Sequence, residues 1–446
     1  MTLRSASRGG GGSGDAVPDR PGGSLRSRGG RSRGGRRLRS AAAALLGLSI
    51  AGSGAAVIGV GQAGAASVST VTIGELTTDT GNCAAPGIPA AKGVAMAVKQ
   101  INAHPFTVKG KKYKINLITK NTGGSNTTAV NDLVSLTQDD GAKIVVGPGC
   151  GAYIEPGLGP LAMKEKILLF NPTPTPKFSS PKTAAQLTSV HGPGYLIAIS
   201  QATGTQTTTA QASLVTSFPK SDHIHNVYEL LENDAEGHFL AVPLAAWFNS
   251  HGYKATINYY PTTTQDFSGY LSAAKAAHAD LLMYGYGDPS GLAILKQAVA
   301  GNTAPNYYGY GSSLTDTLNI NGTTGITSEQ LTLAYPVSLV YPTNTKIKTF
   351  AAQYKAYNGG KFTSDSSYAA YLYDDPGLLV KAMEKAGTTT TLRAIAKALY
   401  SLHYDGLLSS DEYFDSSHHL HFNVDGCVTQ SGADPATHVT CTSVKQ

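Results

Sequence analysis

Val71-Thr-Ile-Gly-Glu-Leu76, followed by Ala91, Val94, Ala95, Val98 and Ile101, decides the fold of this chain. The first stretch reads as a short strand, and the apolar residues after it recur at the spacing of one helix face. Outward from that unit the pattern continues. Tyr113, Ile115 and Leu117 alternate along a second strand, and Val130, Leu133, Val134 and Thr137 mark the next helix. Ile144-Val145-Val146 is a buried strand running into Gly147-Pro148-Gly149-Cys150-Gly151, and a helix near 158–164 leads to a strand at 167–170. The rhythm restarts after the polar, Pro- and Thr-rich passage 171–181. Strands are read at 226–231, 255–260, 281–286 and 307–310, with helices at 235–251, 267–278 and 292–300 between them. Strands alternating with helices imply parallel sheets covered on both faces, so the fold class is α/β with two Rossmann-like lobes. Ligands of such sheets bind outside the carboxyl ends of the strands.

At 446 residues the chain exceeds one ordinary core, and only 14% of it is charged. Its net charge of +6 is unevenly placed: residues 1–40 hold ten Arg against Asp15 and Asp19, leaving the remainder at −2. The basic balance therefore belongs to the leader, and no nucleic-acid partner is expected for the folded part. That leader is followed by an apolar run, 41–60, and the small triplet Ala63-Gly64-Ala65. The order matches an export signal cleaved near Ala65, with 1–66 as signal and basic leader. An uncleaved anchor is the alternative, since the run is about long enough to span a bilayer. No cysteine precedes Cys83, so a lipoprotein is not expected. Cys83, Cys150, Cys427 and Cys441 all lie in the exported part, where an even count favours disulfides. Cys427 and Cys441 suit a local staple. Cys83 and Cys150 each follow a strand in a Gly-rich loop and pair only if those loops meet.

Other chemistries find little support. His418-His419-Leu420-His421 lies beside Asp411, Glu412 and Asp415 without cysteine or an HExxH helix, and reads as a solvated turn. His223 and His225 read likewise. There is no Gly-x-Ser-x-Gly elbow, no Walker loop after Gly149-Cys150-Gly151, and no dinucleotide fingerprint after Val71–Leu76. No catalytic residue, cofactor or metal is expected, and the chain is not expected to be an enzyme.

Several pieces in order resemble the leucine/isoleucine/valine-binding family of type I periplasmic binding proteins. They are Thr78-Asp-Thr-Gly81, Gly93-Val-Ala-Met-Ala-Val-Lys-Gln-Ile-Asn102, Asp139-Asp-Gly-Ala-Lys-Ile-Val-Val-Gly-Pro148, and Asn171-Pro172-Thr-Pro-Thr175 for "SPxxT". Further on come Asn233-Asp-Ala-Glu-Gly237 for "NDxxG", Thr263-Thr-Gln-Asp-Phe267, and Tyr368-Ala-Ala-Tyr-Leu-Tyr-Asp374 with Lys381–Gly387. The resemblance implies two facing lobes joined by three crossovers near 190–196, 334–340 and 403–408. Lobe 1 would be 70–192 with 338–404, and lobe 2 would be 195–335 with 406–446.

The resemblance also implies a ligand site. In the family, a serine after the third strand and the "SPxxT" threonine hold the ligand's carboxylate. Thr175 matches that threonine, with Thr173 in the same loop. The serine's place falls at Gly151, leaving backbone N–H groups of Gly151 and Ala152, with Tyr153 beside them, to neutralise an anion. A tight turn with a structural disulfide is the equal alternative for Gly149–Gly151. Glu236 stands where the family places an aromatic, and Ser312 and Ser313 stand where it places the acid that grips an α-amine. Either Glu236 or Asp288 supplies that charge, or the ligand lacks an α-amine. Tyr284 and Tyr286 are either aromatic walls of the cleft or lobe packing, and Tyr373-Asp374 reads as structural, in a helix of the first lobe. The implied function is capture of a small amino-acid-like or polar solute by a monomer outside the cytoplasm, for a membrane permease of the ABC type. A ligand-sensing ectodomain on the same fold is the alternative.

Overall fold

The computed structural model describes residues 67–81, 84–147, 158–171 (without 159, 160 and 163), 195–198, 204–216, 223–285, 290–310, 330–334, 337–363, 365–415, 420–429 and 439–445. The first lobe begins with β1 (Ser69–Thr77), whose Val71, Ile73 and Leu76 are buried. α1 (Ala84–Ala103) and the hairpin β2 (Phe106–Val108) and β3 (Lys111–Asn121) follow. α2 (Asn126–Gln138) is started by Ser125, whose hydroxyl accepts from the Thr128 N–H. β4 (Ile144–Val146), β5 (Leu168–Asn171) and β6 (Tyr195–Ala198) complete a sheet of order β2-β3-β1-β4-β5-β6, parallel except for the β2–β3 pair. Gly74 lets α2 lie close on this sheet, since a Cβ there would stand 3.0 Å from a methyl of Leu136.

The second lobe opens with α3 (Gly204–Thr216) and runs β7 (Asn226–Glu232), α4 (Ala235–Ser250), β8 (Lys254–Tyr260), α5 (Ser268–Ala276), β9 (Leu281–Tyr284), α6 (Ser290–Ala300), β10 (Asn306–Gly309) and β11 (Gln330–Ala334). β7 shows why both faces are covered. Val227 and Leu231 enter one apolar cluster with α3 and α4, while Tyr228 and Leu230 enter another with α5 and α6. The chain then returns to the first lobe as α7 (Thr345–Tyr357), α8 (Asp375–Ala386) and α9 (Leu392–Leu399). Close approach there requires Gly93, because a Cβ would collide with the Ala369 carbonyl. β12 (His403–Tyr404), β13 (Glu412–Phe414) and β14 (Leu420–His421) form a small antiparallel sheet of their own. β15 (Asn423–Thr429) and β16 (Val439–Lys445) add antiparallel strands to the second sheet, giving β16-β15-β11-β10-β9-β7-β8.

Three expectations are corrected. Tyr195–Ala198, expected at a crossover and the start of lobe 2, pairs in parallel with Leu168–Asn171 in the first sheet, where it satisfies the edge of β5. Of 406–446, expected whole in lobe 2, only β15 and β16 join the second sheet. Tyr373 and Asp374 lie in a turn rather than a helix, because Pro376 marks the first turn of α8 and the helix begins only at Asp375. Cys427 and Cys441 form a disulfide across β15 and β16, at directly paired positions of the ladder. Cys83 and Cys150 lie outside the described residues. No described helix is long and apolar enough to cross a membrane.

Candidate functional site

Both parallel sheets share one plan. Leaving out antiparallel additions, the orders β3-β1-β4-β5-β6 and β8-β7-β9-β10-β11 place the first strand of each lobe second in its sheet. Connections therefore leave β1 and β4, and likewise β7 and β9, toward opposite sides. A crevice opens at the carboxyl ends of each such pair, which is where open α/β sheets bind ligands.

In the first lobe that end is a knot of small polar groups. The Thr77 hydroxyl donates to Asp79 at 3.0 Å, and the Asp79 N–H donates to Asn121 Oδ1 at 2.9 Å. Thr122 donates to the Thr77 carbonyl from both its N–H, at 2.9 Å, and its hydroxyl, at 2.8 Å. Gly81 runs at φ +79°, and a Cβ there would strike the Gly123 carbonyl. One strand turn earlier, Glu75 is buried and accepts from the Thr119 hydroxyl at 2.9 Å, and burial pushes its carboxyl up to about 8. Asp375, at the start of α8, is held well above the carboxylate range by burial, by Asp374 and by Glu75.

In the second lobe the turn Asn233-Asp234 joins β7 to α4. The Asn233 N–H donates to the Tyr260 carbonyl at 2.8 Å, and Asp234 Oδ1 accepts from the Gly237 N–H at 2.8 Å. Gly237 is required because a Cβ would collide with the Glu232 carbonyl. Glu232 ends β7 at 7% exposure. Its Oε1 accepts from the Ser290 hydroxyl at 2.8 Å, and Tyr260 donates to the Ser290 hydroxyl at 3.3 Å. Burial raises the Glu232 carboxyl above its ordinary value, partly opposed by the hydroxyls of Tyr260 and Ser290. Gly285, the residue after β9, leaves room for this group, since a Cβ would collide with the Tyr260 hydroxyl.

Of the residues singled out from sequence, Glu236 falls in the first turn of α4. Gly151, Ala152, Tyr153, Thr173, Thr175, Tyr286, Asp288 and Ser312 lie outside the described residues. Tyr284 is fully buried in the second-lobe core and is packing, not a wall. Sequence reading passed over Glu232, Tyr260, Ser290 and Gly285. The available signal was a pair of acids, Glu229 and Glu232, in a strand that is otherwise mostly apolar, Val227-Tyr-Glu-Leu-Leu-Glu232. Among the described residues, no set of three His, Cys, Asp or Glu side chains is placed to hold a metal ion.

Solved structures share this architecture. The leucine-binding protein LivK of Thermotoga maritima is 19% identical, with 84% of this chain and 99% of that one covered and a TM-score of 0.66. LivJ of Streptococcus pneumoniae, solved with isoleucine, is 18% identical over 84% of this chain and 100% of its own, at a TM-score of 0.65. A benzoate-bound solute-binding protein of an ABC transporter from R. palustris is 12% identical over 84% and 98%, at 0.65. No curated protein matches the sequence. The family model described as periplasmic binding protein matches residues 70–430, most of the length and every strand of both sheets but β16. The chain belongs to the periplasmic binding protein family.

Proposed function

We propose that this chain is an extracytoplasmic solute-binding protein that captures a small amino-acid-like or polar ligand between its lobes. The loaded form is presented to the permease of an ABC-type importer, and no reaction is catalysed. One observation carries this reading. Two sheets of the same strand order, within a chain of the periplasmic binding protein family, each end in a polar, glycine-relieved crevice at the switch point. The relatives' ligands, isoleucine in one and benzoate in another, are small carboxylates. They make a carboxylate the default anchor, held by Thr173, Thr175 and the backbone of Gly151–Tyr153 in the first lobe. Glu236, Tyr286, Asp288 and Ser312 contribute from the second. Lobe 1 is 70–192 extended through β6, with 338–404, and lobe 2 holds α3 to β11 with β15 and β16. The leader 1–66 directs export and is cleaved, the mature protein is a monomer without a lipid anchor, and Cys83 pairs with Cys150.

A thermal-shift screen against amino acids, amides, small acids and sugars tests the reading. Ligand at about 100 times Kd stabilises by about 2.7 kcal/mol. Thr175→Ala and Glu236→Ala are expected to abolish the response. An unchanged response in both variants would place the pocket elsewhere, and no response to any class would remove solute capture itself.

A further inference from the structure

Lys109-Gly-Lys-Lys-Tyr-Lys114, the tip of the β2–β3 hairpin, places four lysines in six residues of a chain that is net negative beyond its leader. All four are exposed. None forms an ion pair with a described acid, and Lys111, resting 5.3 Å over the Tyr113 ring, keeps its charge. Glu75 and Asp79 are the only acids from Ser67 to Asn121, and Glu75 stands opposite Thr119, well up β3 from the lysines. Lys109, whose stem passes Gly387 at the end of α8, and Gly110 make a two-residue turn with φ of +46° and +78° between the paired Val108 and Lys111. Such turns favour asparagine followed by glycine, so local preference does not account for the lysine.

The place of this tip in the fold matters as much as its charge. β4 pairs with β1 only at Gly74 and Glu75, so the hairpin and the start of β1 project past β4. Ser69, the first residue of β1, lies opposite Tyr113, beside the lysines. There the chain enters the fold from the apolar run 41–60, and the connecting residues 61–68 reach at most about 30 Å. Val68, next to β1, is 43% exposed. A chain drawn to a bilayer by that run brings the lysine tip within that distance of the headgroups. The solute crevice lies at the carboxyl ends of the strands, so contact at the opposite end of β1 and β3 leaves it open. Each lysine near an anionic leaflet raises binding by about fivefold, within the Debye length. We propose that the β2–β3 tip docks on an anionic phospholipid bilayer, its ammonium groups meeting headgroup phosphates, and so holds the exported protein at the membrane. This rests on the export half of the proposed function and not on the identity of the solute.

The test uses the exported protein recovered from culture, with its N-terminus read by mass spectrometry. It is sedimented with vesicles of phosphatidylcholine alone or of phosphatidylcholine mixed with phosphatidylglycerol. Binding is expected to the mixed vesicles only, and to weaken with added salt. Lys112→Gln with Lys114→Gln weakens it by about 25-fold. Lys109→Gln, Lys111→Gln, Lys112→Gln and Lys114→Gln together abolish it, whereas the four corresponding Lys→Arg changes retain it. Lys254→Gln with Lys296→Gln, at exposed lysines of the second lobe, leaves it unchanged. Equal binding to both kinds of vesicle, or binding unaltered by the fourfold Lys→Gln change, overturns the proposal. So does binding to a soluble glycerol-phosphate polymer without binding to the vesicles, which would make the partner a wall polyanion. An N-terminus that still holds the leader removes cleavage, and the same variants then decide the tip against that constant background. Thermal shifts with solutes stay those of the parent in the fourfold variant, so loss of the membrane contact leaves solute capture standing.

Discussion

Asp374 and Glu412 meet as two buried acids, with the Glu412 carboxyl donating its proton to the Asp374 carboxylate. Both also hold the segment that enters the small antiparallel sheet. Asp374 Oδ2 accepts from the Leu407 N–H at 2.7 Å, and Glu412 Oε1 accepts from the N–H groups of Leu408 at 3.1 Å and Ser409 at 3.2 Å. Burial, then the neighbouring Asp374, keeps Glu412 far above the carboxylate range. A glutamine reproduces a protonated glutamate here, since its carbonyl accepts as Oε1 does and its amide donates to Asp374. Glu412→Gln is therefore expected to lie within about 1 kcal/mol of the parent in urea unfolding at pH 7, whereas Glu412→Ala, which strands three buried polar groups, costs about 2–4 kcal/mol. Equal losses in the two variants would show that volume rather than the shared proton matters.

The same group of acids sets a pH dependence. Burial is the largest cause in each case: Asp374 is raised to about 6, Asp425 to about 7, and Glu75 and Glu229 to about 8. Their ordinary values are 3.8 for Asp and 4.5 for Glu. A carboxyl raised in the folded state binds more protons folded than unfolded, so stability falls as pH rises. The contribution is whole below the ordinary values and is lost in steps as pH passes about 6, 7 and 8. Melting temperature is expected to be higher by several degrees at pH 5.5 than at pH 8.5. Glu229→Gln, neutral at every pH, should flatten the alkaline part of the curve, and a melting temperature that climbs from pH 5.5 to 8.5 would contradict the assignment.

Much of the frame was legible because local pattern and fold agree. Ile144–Val146 was read and found as the same strand, and 226–231 and 255–260 each differ from β7 and β8 by one residue. Helix 235–251 became Ala235–Ser250. In each, the period of buried side chains is set by neighbours close in sequence. β6, β15 and the small sheet of β12 to β14 were missed because their pairings are non-local. Thr429 faces Gln330 across β15 and β11, and nothing in a stretch such as Asn423-Val-Asp-Gly-Cys-Val-Thr429 announces that partner. The site divided in the same way. The Asn233-Asp234…Gly237 turn was visible through its resemblance to the family's motif, and the structure shows its glycine answering a local collision with Glu232. Glu232, Tyr260, Ser290 and Gly285 come from separate elements, and only folding brings them together.

Glycines on helices should separate by what surrounds them. Gly93 in α1 faces the Ala369 carbonyl, where a methyl has no room and the obstacle is backbone. Gly93→Ala is expected to destabilise by about 2–3 kcal/mol through overpacking. Gly269, in the first turn of α5, is exposed and a Cβ there meets nothing within 4 Å. Gly269→Ala should stabilise by up to about 1 kcal/mol, through helix propensity alone. Urea midpoints moving in the same direction for both would refute the packing of α1 on Ser366–Ala370.

The disulfide should stabilise by constraining the unfolded chain. Cys427 and Cys441 are 14 positions apart, and Cys427 is buried at 1% exposure on β15, which binds β16 to the second sheet. Closing a loop of that size in the unfolded ensemble is worth about 3 kcal/mol. Cys427→Ala with Cys441→Ala is the suitable comparison, since serine would leave a buried hydroxyl in place of a sulfur, and reductant would act on every cysteine at once. The double variant is expected to lose about 2–3 kcal/mol in urea unfolding, with the loss appearing first as faster hydrogen exchange along β16. β16 is an edge strand paired only with β15, so exchange in β7 and β9 should change no more than the global stability does. Unchanged stability in the double variant would mean that the β15–β16 ladder is already closed by its own pairing, with Val444 against Gly426 and Leu214 packed on that glycine.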